Sequence, residues 1–169
     1  LNVKIEVPKK IPRITLEEAR KLVEKKGKKI RENDDLDSEG EKLIGEIIKE
    51  KYDSDFVFIT LYPWEKKPFY QMRSPENKKL TKSFDLVYKG VEICSGSQRE
   101  HNYNVLKEQS KEKGIDIDQM SFYANIFKYG APPHGGAGIG FDRLIQRMLN
   151  LDNVREAILL PRDPERLTP

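Results

Sequence analysis

The sequence predicts an α+β fold, and three observations predict it. Residues 83–88 and 91–95 are two β-rich runs joined by Lys89-Gly90 alone, a tight hairpin turn and therefore an antiparallel pair. Helical runs with one apolar side stand before, between and after the strands, with turn residues separating them. The glycine-rich stretch at 135–140 is not followed, about twenty positions on, by the acidic residue of a strand–helix–strand dinucleotide unit, so a doubly wound parallel sheet does not fit.

At 169 residues the chain fits one domain with a proper core. Charged residues make up 35%, against roughly 25% in ordinary globular chains, and the excess is Lys and Glu together. A net charge of +3 demands no polyanion partner, although a local basic patch can still hold a nucleic acid. Cys94 is the only cysteine, so no internal disulfide forms, and a reducing cytoplasm suits it. No apolar run approaches the ~18 residues of a membrane span, and no signal peptide is visible. The chain opens on Leu1, which is read as the expectation that it is part of something longer.

In chain order, residues 1–12 alternate Val3, Ile5 and Val7 with polar residues and then meet prolines, an edge strand and linker. Thr15 caps a helix with Glu18 reciprocating; Leu16, Ala19, Leu22 and Val23 form its buried side until Gly27. The acidic stretch 33–37 lacks the spacing and terminal glutamate of a calcium hand and reads as a solvated loop. Ser38 and Glu41 read as a second capping box, opening a helix with Leu43, Ile44, Ile47 and Ile48 on one side. Residues 56–62 are β-branched and aromatic, a central strand. Residues 63–70 form an aromatic and basic loop, shaped by Pro63 and Pro68, that enters another strand; 73–79 is a polar loop.

After the hairpin come two helices at about 103–113 and 119–129, each closed by a glycine, Gly114 and Gly130. Residues 135–140 carry four glycines in six positions, too many for a strand packed for stability. The helix that follows repeats Phe141, Leu144, Ile145, Met148 and Leu149 on one side, predicting a buried helix that delivers Arg143 in its first turn. Bare glycine backbone lets a flat ligand lie close, and an arginine beside it can fork onto phosphate or stack on a ring. A glycine-rich connection with a surface arginine is the plainer reading of the same stretch. Residues 157–160 read as a short closing strand before a charged tail.

The run Pro132-Pro133-His134-Gly135-Gly136-Ala137-Gly138-Ile139-Gly140-Phe141-Asp142-Arg143 resembles the third signature motif of class II aminoacyl-tRNA synthetases, closest to the aspartate-specific group of archaeal and eukaryotic cytosolic type. The ending Leu160-Pro161-Arg162-Asp163-Pro164-Glu165-Arg166-Leu167-Thr168-Pro169 is similar to that group's C-terminus. A second block, from Phe84-Asp85-Leu86 through Gly90-Val91-Glu92-Ile93-Cys94-Ser95-Gly96-Ser97-Gln98-Arg99-Glu100-His101, resembles its amino-acid and metal site. The likeness runs from about Pro8 to Pro169. It implies a mainly antiparallel sheet flanked by helices, with residues 1–169 forming the C-terminal part of a catalytic domain. The family's first and second motifs, including the arginine on the ATP α-phosphate, and its anticodon domain are not found here, so the 169 residues alone are expected to be inactive.

The resemblance assigns roles residue by residue. Glu92 and Ser95 become Mg²⁺ ligands, with Glu92 also near the ATP; one or two hard oxygen ligands suit that ion. Gly140, Phe141, Asp142 and Arg143 match the ATP segment. Arg99 matches the arginine for the substrate aspartate's side-chain carboxylate, with Ser95 a further aspartate contact. Lys67, Tyr70 and Asp85 sit where the family has other pocket groups. Unbroken alternation would put Glu92 and Cys94 on one face and Ser95 on the other, so a bulge or an early strand end near Gly96 is needed for Glu92 and Ser95 to meet one metal.

Activating a carboxylate with ATP requires no protein nucleophile, because the substrate's own carboxylate attacks; positioning and charge neutralisation remain for the protein. No nucleophile triad is spaced in the chain. His134 reads as a pocket-lining or carbonyl-satisfying residue, His101 is not required, and Cys94 reads as a small core hydrophobe. The resemblance thus implies a cytoplasmic aspartate–tRNA ligase using ATP, L-aspartate and tRNA, homodimeric at full length and not membrane-bound. The alternatives are an asparagine or lysine synthetase, an adenylate-forming asparagine synthetase, and an inactive half-domain that pairs with another chain. Arg99 with Ser95-Gly96-Ser97-Gln98 favours an acidic substrate over lysine.

Overall fold

The computed structural model describes residues 8–31 and 34–168. Its elements in order are β1 (Arg13–Thr15), α1 (Leu16–Lys25), α2 (Ser38–Tyr52), β2 (Phe56–Thr60), β3 (Ser83–Tyr88), β4 (Val91–Gln98), α3 (Tyr103–Glu112), α4 (Ser121–Tyr129), β5 (Gly135–Ile139) and α5 (Phe141–Leu149). Short 3₁₀ turns lie at Trp64–Lys66, Ile117–Met120 and Val154–Ala157. The sheet runs β1-β2-β3-β4-β5; β1 pairs with β2 in parallel, and every other pair is antiparallel. This is the α+β architecture with a mainly antiparallel sheet that the sequence implies.

The parallel crossover from β1 to β2 carries α1 and α2 onto one sheet face. There Leu16, Ala19, Val23, Ile44 and Ile48 pack on Val57, Ile59 and Val87. Fully burying each large aliphatic side chain stabilises by about 1.5–3 kcal/mol. Thr15 caps α1 in the reciprocal arrangement with Glu18 that the sequence suggests. A second core, of Trp64, Phe69, Leu106, Ile117, Ala124 and Phe127, forms where α3 and α4 meet the loop after β2.

The β3–β4 hairpin turns on Lys89 and Gly90, whose φ angles of 46° and 72° are the pair a two-residue turn requires. Helix α2 sits directly on that turn. A Cβ on Gly45 would meet the Gly90 nitrogen at 2.6 Å, so the close approach depends on these two glycines.

Several expectations are corrected. The α2 N-cap is Asp37, which accepts from Gly40 N at 2.8 Å, and Glu41 closes no capping box with Ser38; its carboxylate is spent elsewhere. Strand β1 was hidden in what read as linker and cap. Residues 69–73 form only isolated bridges, Gln71 with Arg99 and Arg73 with Thr81. The expected strand at 157–160 is a 3₁₀ turn running into irregular chain. Helix α5 is present but not buried: Phe141 is 67% exposed, and Gln146 is its buried residue. The strand expected around Val3, Ile5 and Val7, and Asn33 of the acidic loop, lie outside the described residues.

Candidate functional site

Strand β4 has the bulge that the alternation argument required. Val87 pairs with Glu92 and Leu86 with Cys94, which leaves Ile93 as one extra residue. Side chains paired across neighbouring strands share a face, and Asp85 pairs with Ser95. The inserted residue therefore brings Glu92, Ser95 and Asp85 to one face, with Ser97 following, while Cys94 is buried on the other. This is the face that α2 covers farther along the sheet.

On β5, Gly138 stands opposite Ser95 and Gly136 opposite Ser97, so the floor on this side is bare backbone. A Cβ on Gly138 would meet nothing within 4 Å, whereas one on Gly136 would come within 3.2 Å of the Arg99 guanidinium. Gly96 serves the opposite face: a Cβ there would strike the Phe84 ring at 2.6 Å.

Arg99 forms one end of the site. Its Nη1 donates to Ser97 Oγ at 2.7 Å, and its guanidinium lies 4.8 Å from the centre of the Tyr70 ring. Nη2 reaches toward the Gly136 carbonyl oxygen at 3.5 Å. Among the described residues no carboxylate forms an ion pair with it, so a planar cation stands half-buried without an anion. His134 is placed as its plainer reading suggested: Nδ1 lies 2.9 Å from Pro132 O, and its own carbonyl accepts from Arg99 N. His134 is thus a loop-forming residue behind Arg99.

The other end is rich in carboxylates. Asp85 is 5% exposed, and its Oδ1 has no hydrogen-bond partner. Lys67 Nζ lies 3.7 Å from Asp85, 4.0 Å from the half-exposed Asp35, and 3.8 Å from the Tyr62 ring centre. Burial, and then the negative charges of Asp85 and Glu41, hold the Glu92 carboxyl above the usual glutamate range. Burial and the charge of Asp85 likewise push the Tyr62 phenol up. Arg143 Nη1 donates to the Glu92 carbonyl oxygen at 3.0 Å, bringing the first turn of α5 onto β4. Among the described residues, no set of three carboxylate, histidine or cysteine side chains cages a metal. Crowded Asp85 and Glu92, with an orphaned buried oxygen, fit a hard divalent ion that takes few protein ligands and completes its shell with phosphate and water.

All the candidates thus lie around one stretch of β4. Glu92 and Arg143 lie at one end, Ser95, Asp85 and Lys67 at its middle, and Arg99 and Tyr70 at the other end, about 13 Å beyond Ser95 at 3.3 Å per residue. Gly140 packs beside the Arg143 stem, 3.6 Å from its Cδ to a built Cβ, while Phe141 and Asp142 are exposed beside it. Sequence reasoning missed Tyr62, Asp35, Ser97 and Glu41 in this setting. Asp35 lay in an acidic loop with no ligand spacing, and Glu41 fitted a capping pattern. Only Ser97, inside the block that carries the resemblance, had a signal.

Residues 1–164 match the family model described as tRNA synthetases class II (D, K and N). The aspartate–tRNA(Asp/Asn) ligase of Aeropyrum pernix is 52% identical over 160 residues, 94% of this chain and 36% of that protein. The aspartate–tRNA(Asp) ligase of Pyrococcus furiosus is 49% identical over all of this chain and 39% of its own length. The chain therefore spans well under half of these relatives. Among solved structures, aspartyl-tRNA synthetase from Entamoeba histolytica superposes with a TM-score of 0.91 at 36% identity, covering 95% of this chain and 33% of that one. The asparaginyl-tRNA synthetase of the same organism, in complex with asparaginyl-adenylate, gives 0.89 at 31% identity, covering 99% and 38%.

Proposed function

This chain belongs to the class II tRNA synthetases of the aspartate, lysine and asparagine group, and on that premise we propose that it is the C-terminal part of the catalytic domain of an aspartate–tRNA ligase. The full-length protein would activate L-aspartate with ATP and pass the aspartyl group to tRNA, acting as a cytoplasmic homodimer. Two relatives carry the word cytoplasmic in their names, and among the described residues no helix is long and apolar enough to cross a membrane.

Arg99 supports this reading best. A half-buried guanidinium without an anion, oriented by Ser97 and backed by the Tyr70 ring, offers a planar fork to a side-chain carboxylate. An asparagine amide would leave that charge uncompensated, and a lysine ammonium would be repelled.

In the first step one oxygen of the substrate's α-carboxylate attacks the α-phosphorus of ATP. A carboxylate O–P bond forms, the bond to the bridging oxygen breaks, and pyrophosphate departs. Ser95 and Lys67 would help orient the aspartate, with Asp85 as a wall that holds Lys67. The backbone at Gly140, Phe141 and Asp142 would receive the nucleotide, and Arg143 would lie on adenine and reach the terminal phosphate. Glu92 and Ser95 would hold Mg²⁺. When bound, that ion neutralises phosphate charge during the displacement. In the second step a terminal ribose hydroxyl of tRNA attacks the aspartyl carbonyl and AMP leaves. Neither step needs a protein nucleophile, and Cys94, on the far face, supplies none.

Charging of tRNA transcripts with labelled amino acids by the full-length protein tests the assignment. Aspartate is expected to be transferred. Charging with asparagine or lysine alone would overturn it.

A further inference from the structure

Glu92 carries a peculiarity of backbone as well as side chain. Strand β5 ends at Ile139, opposite Cys94, and Gly140 N makes the last bond along this edge, to Ile93 O at 2.8 Å. Beyond that point no strand among the described residues runs along this edge of β4, yet both polar groups of Glu92 are bonded to side chains. Glu41 Oε2 accepts from Glu92 N at 3.0 Å, and Arg143 Nη1 donates to Glu92 O at 3.0 Å.

We propose that Glu41 is a positioning residue for the metal-binding glutamate, fixing the Glu92 backbone at the bulge so that its carboxylate faces the ATP end of the site. This rests on the reading that Glu92 holds Mg²⁺.

Three observations support it. First, the residue being held sits immediately before the inserted Ile93, at a register break and just past the end of β5, so its backbone lacks a ladder partner on that edge. Second, the anchor is itself rigidly mounted. Glu41 projects from the first full turn of α2, behind the Asp37 cap, and the Gly45–Gly90 approach clamps that helix onto the hairpin. Third, the contact is direct, a 3.0 Å bond from a backbone N–H, and Glu41 is half-buried where water competes poorly. Placing a third carboxylate beside Asp85 and Glu92 is electrostatically unfavourable, so a hydrogen bond that fixes geometry accounts for its presence better than charge does. Glu41 touches neither ligand in this account; it acts through Glu92.

The test uses the full-length protein as wild type, Glu41→Ala and Glu41→Gln. Calorimetry with α,β-methylene ATP, which cannot release pyrophosphate, gives nucleotide affinity in EDTA and across a Mg²⁺ titration; the KM for aspartate is measured in parallel. Glu41→Ala is expected to raise the Mg²⁺ midpoint about tenfold, the size of a modest misplacement of a ligating group. Nucleotide binding in EDTA and the aspartate KM should stay within about twofold. Glu41→Gln, whose amide oxygen can still accept from Glu92 N, should restore a midpoint near wild type. An unchanged midpoint in Glu41→Ala overturns the proposal. Equal impairment of Ala and Gln overturns it too, because charge would then matter and not the hydrogen bond. Parallel losses in EDTA binding and aspartate KM would make Glu41 a general structural residue. A wild-type protein whose nucleotide binding ignores Mg²⁺ would instead remove the metal reading of Glu92 itself.

Discussion

Arg99 lies on Gly136: a Cβ at that glycine would sit 3.2 Å from one guanidinium nitrogen and 3.4 Å from another. The arginine's orientation therefore depends on a missing side chain across the sheet as well as on its own contacts. Gly136→Ala should push the guanidinium aside by a few tenths of an ångström. The expected cost is about tenfold in the aspartate KM, since a full ångström of misplacement can cost a hundredfold. Thermal stability should hold or rise slightly, because Gly136 does not have a positive φ and alanine narrows the unfolded ensemble. An unchanged KM would mean that Arg99 does not meet the substrate.

Arg99→Lys replaces a planar fork by a point charge. Aspartate recognition should weaken by about 2 kcal/mol, the loss of a charge-assisted contact. ATP affinity should survive, since Arg99 stands at the opposite end of β4 from Arg143. Steady-state kinetics with each substrate varied in turn decides this. Equal losses for aspartate and ATP would make Arg99 structural.

Arg143→Ala removes an exposed cation and its bond to the Glu92 carbonyl. ATP use should fall by about 2 kcal/mol, roughly thirtyfold. Melting temperature should move little because the side chain covers no core. The check is the ATP KM and kcat beside a thermal scan; unaltered ATP dependence would contradict the assignment.

Glu92 carries an opposing pair of effects. Its carboxyl titrates above the ordinary 4.5, because burial, Asp85 and Glu41 disfavour the charged form. Between 4.5 and that raised value the folded state keeps a proton the unfolded chain has lost. Stability therefore falls as pH rises through this window and stays reduced above it. Glu92→Gln should melt higher than wild type at neutral pH, with the difference fading as pH drops below 4.5. The same variant should lose Mg²⁺-dependent nucleotide binding. A lower melting temperature at neutral pH would show that the charge stabilises the fold.

What the sequence made legible was local. The Thr15–Glu18 cap, the Lys89-Gly90 turn and the helix carrying Arg143 are each written in a few adjacent residues, and each is present. The glycine run, read as too glycine-rich for a packed strand, nonetheless pairs with β4 as β5 through its backbone. What it hid was relational. Arg13, Ile14 and Thr15 are too few to show alternation, so β1 emerges only from its pairing with β2. Chemistry required a bulge near Ser95, but nothing in the residues placed the extra one at Ile93. Glu41 stands where a capping box would have it, and only the seating of α2 on the hairpin reveals that it bonds Glu92. Amphipathic spacing in α5 says which side is apolar, not that this side is covered, and Phe141 is open.

The central claim is that this site selects an acidic amino acid through Arg99, and ATP–pyrophosphate exchange by the full-length protein tests it most directly. With aspartate, asparagine and lysine offered separately, the account predicts exchange with aspartate and at most about a hundredth of that rate with the others, the discrimination expected when a buried charge loses its partner. Exchange supported by asparagine or lysine at a rate comparable to that with aspartate would contradict it.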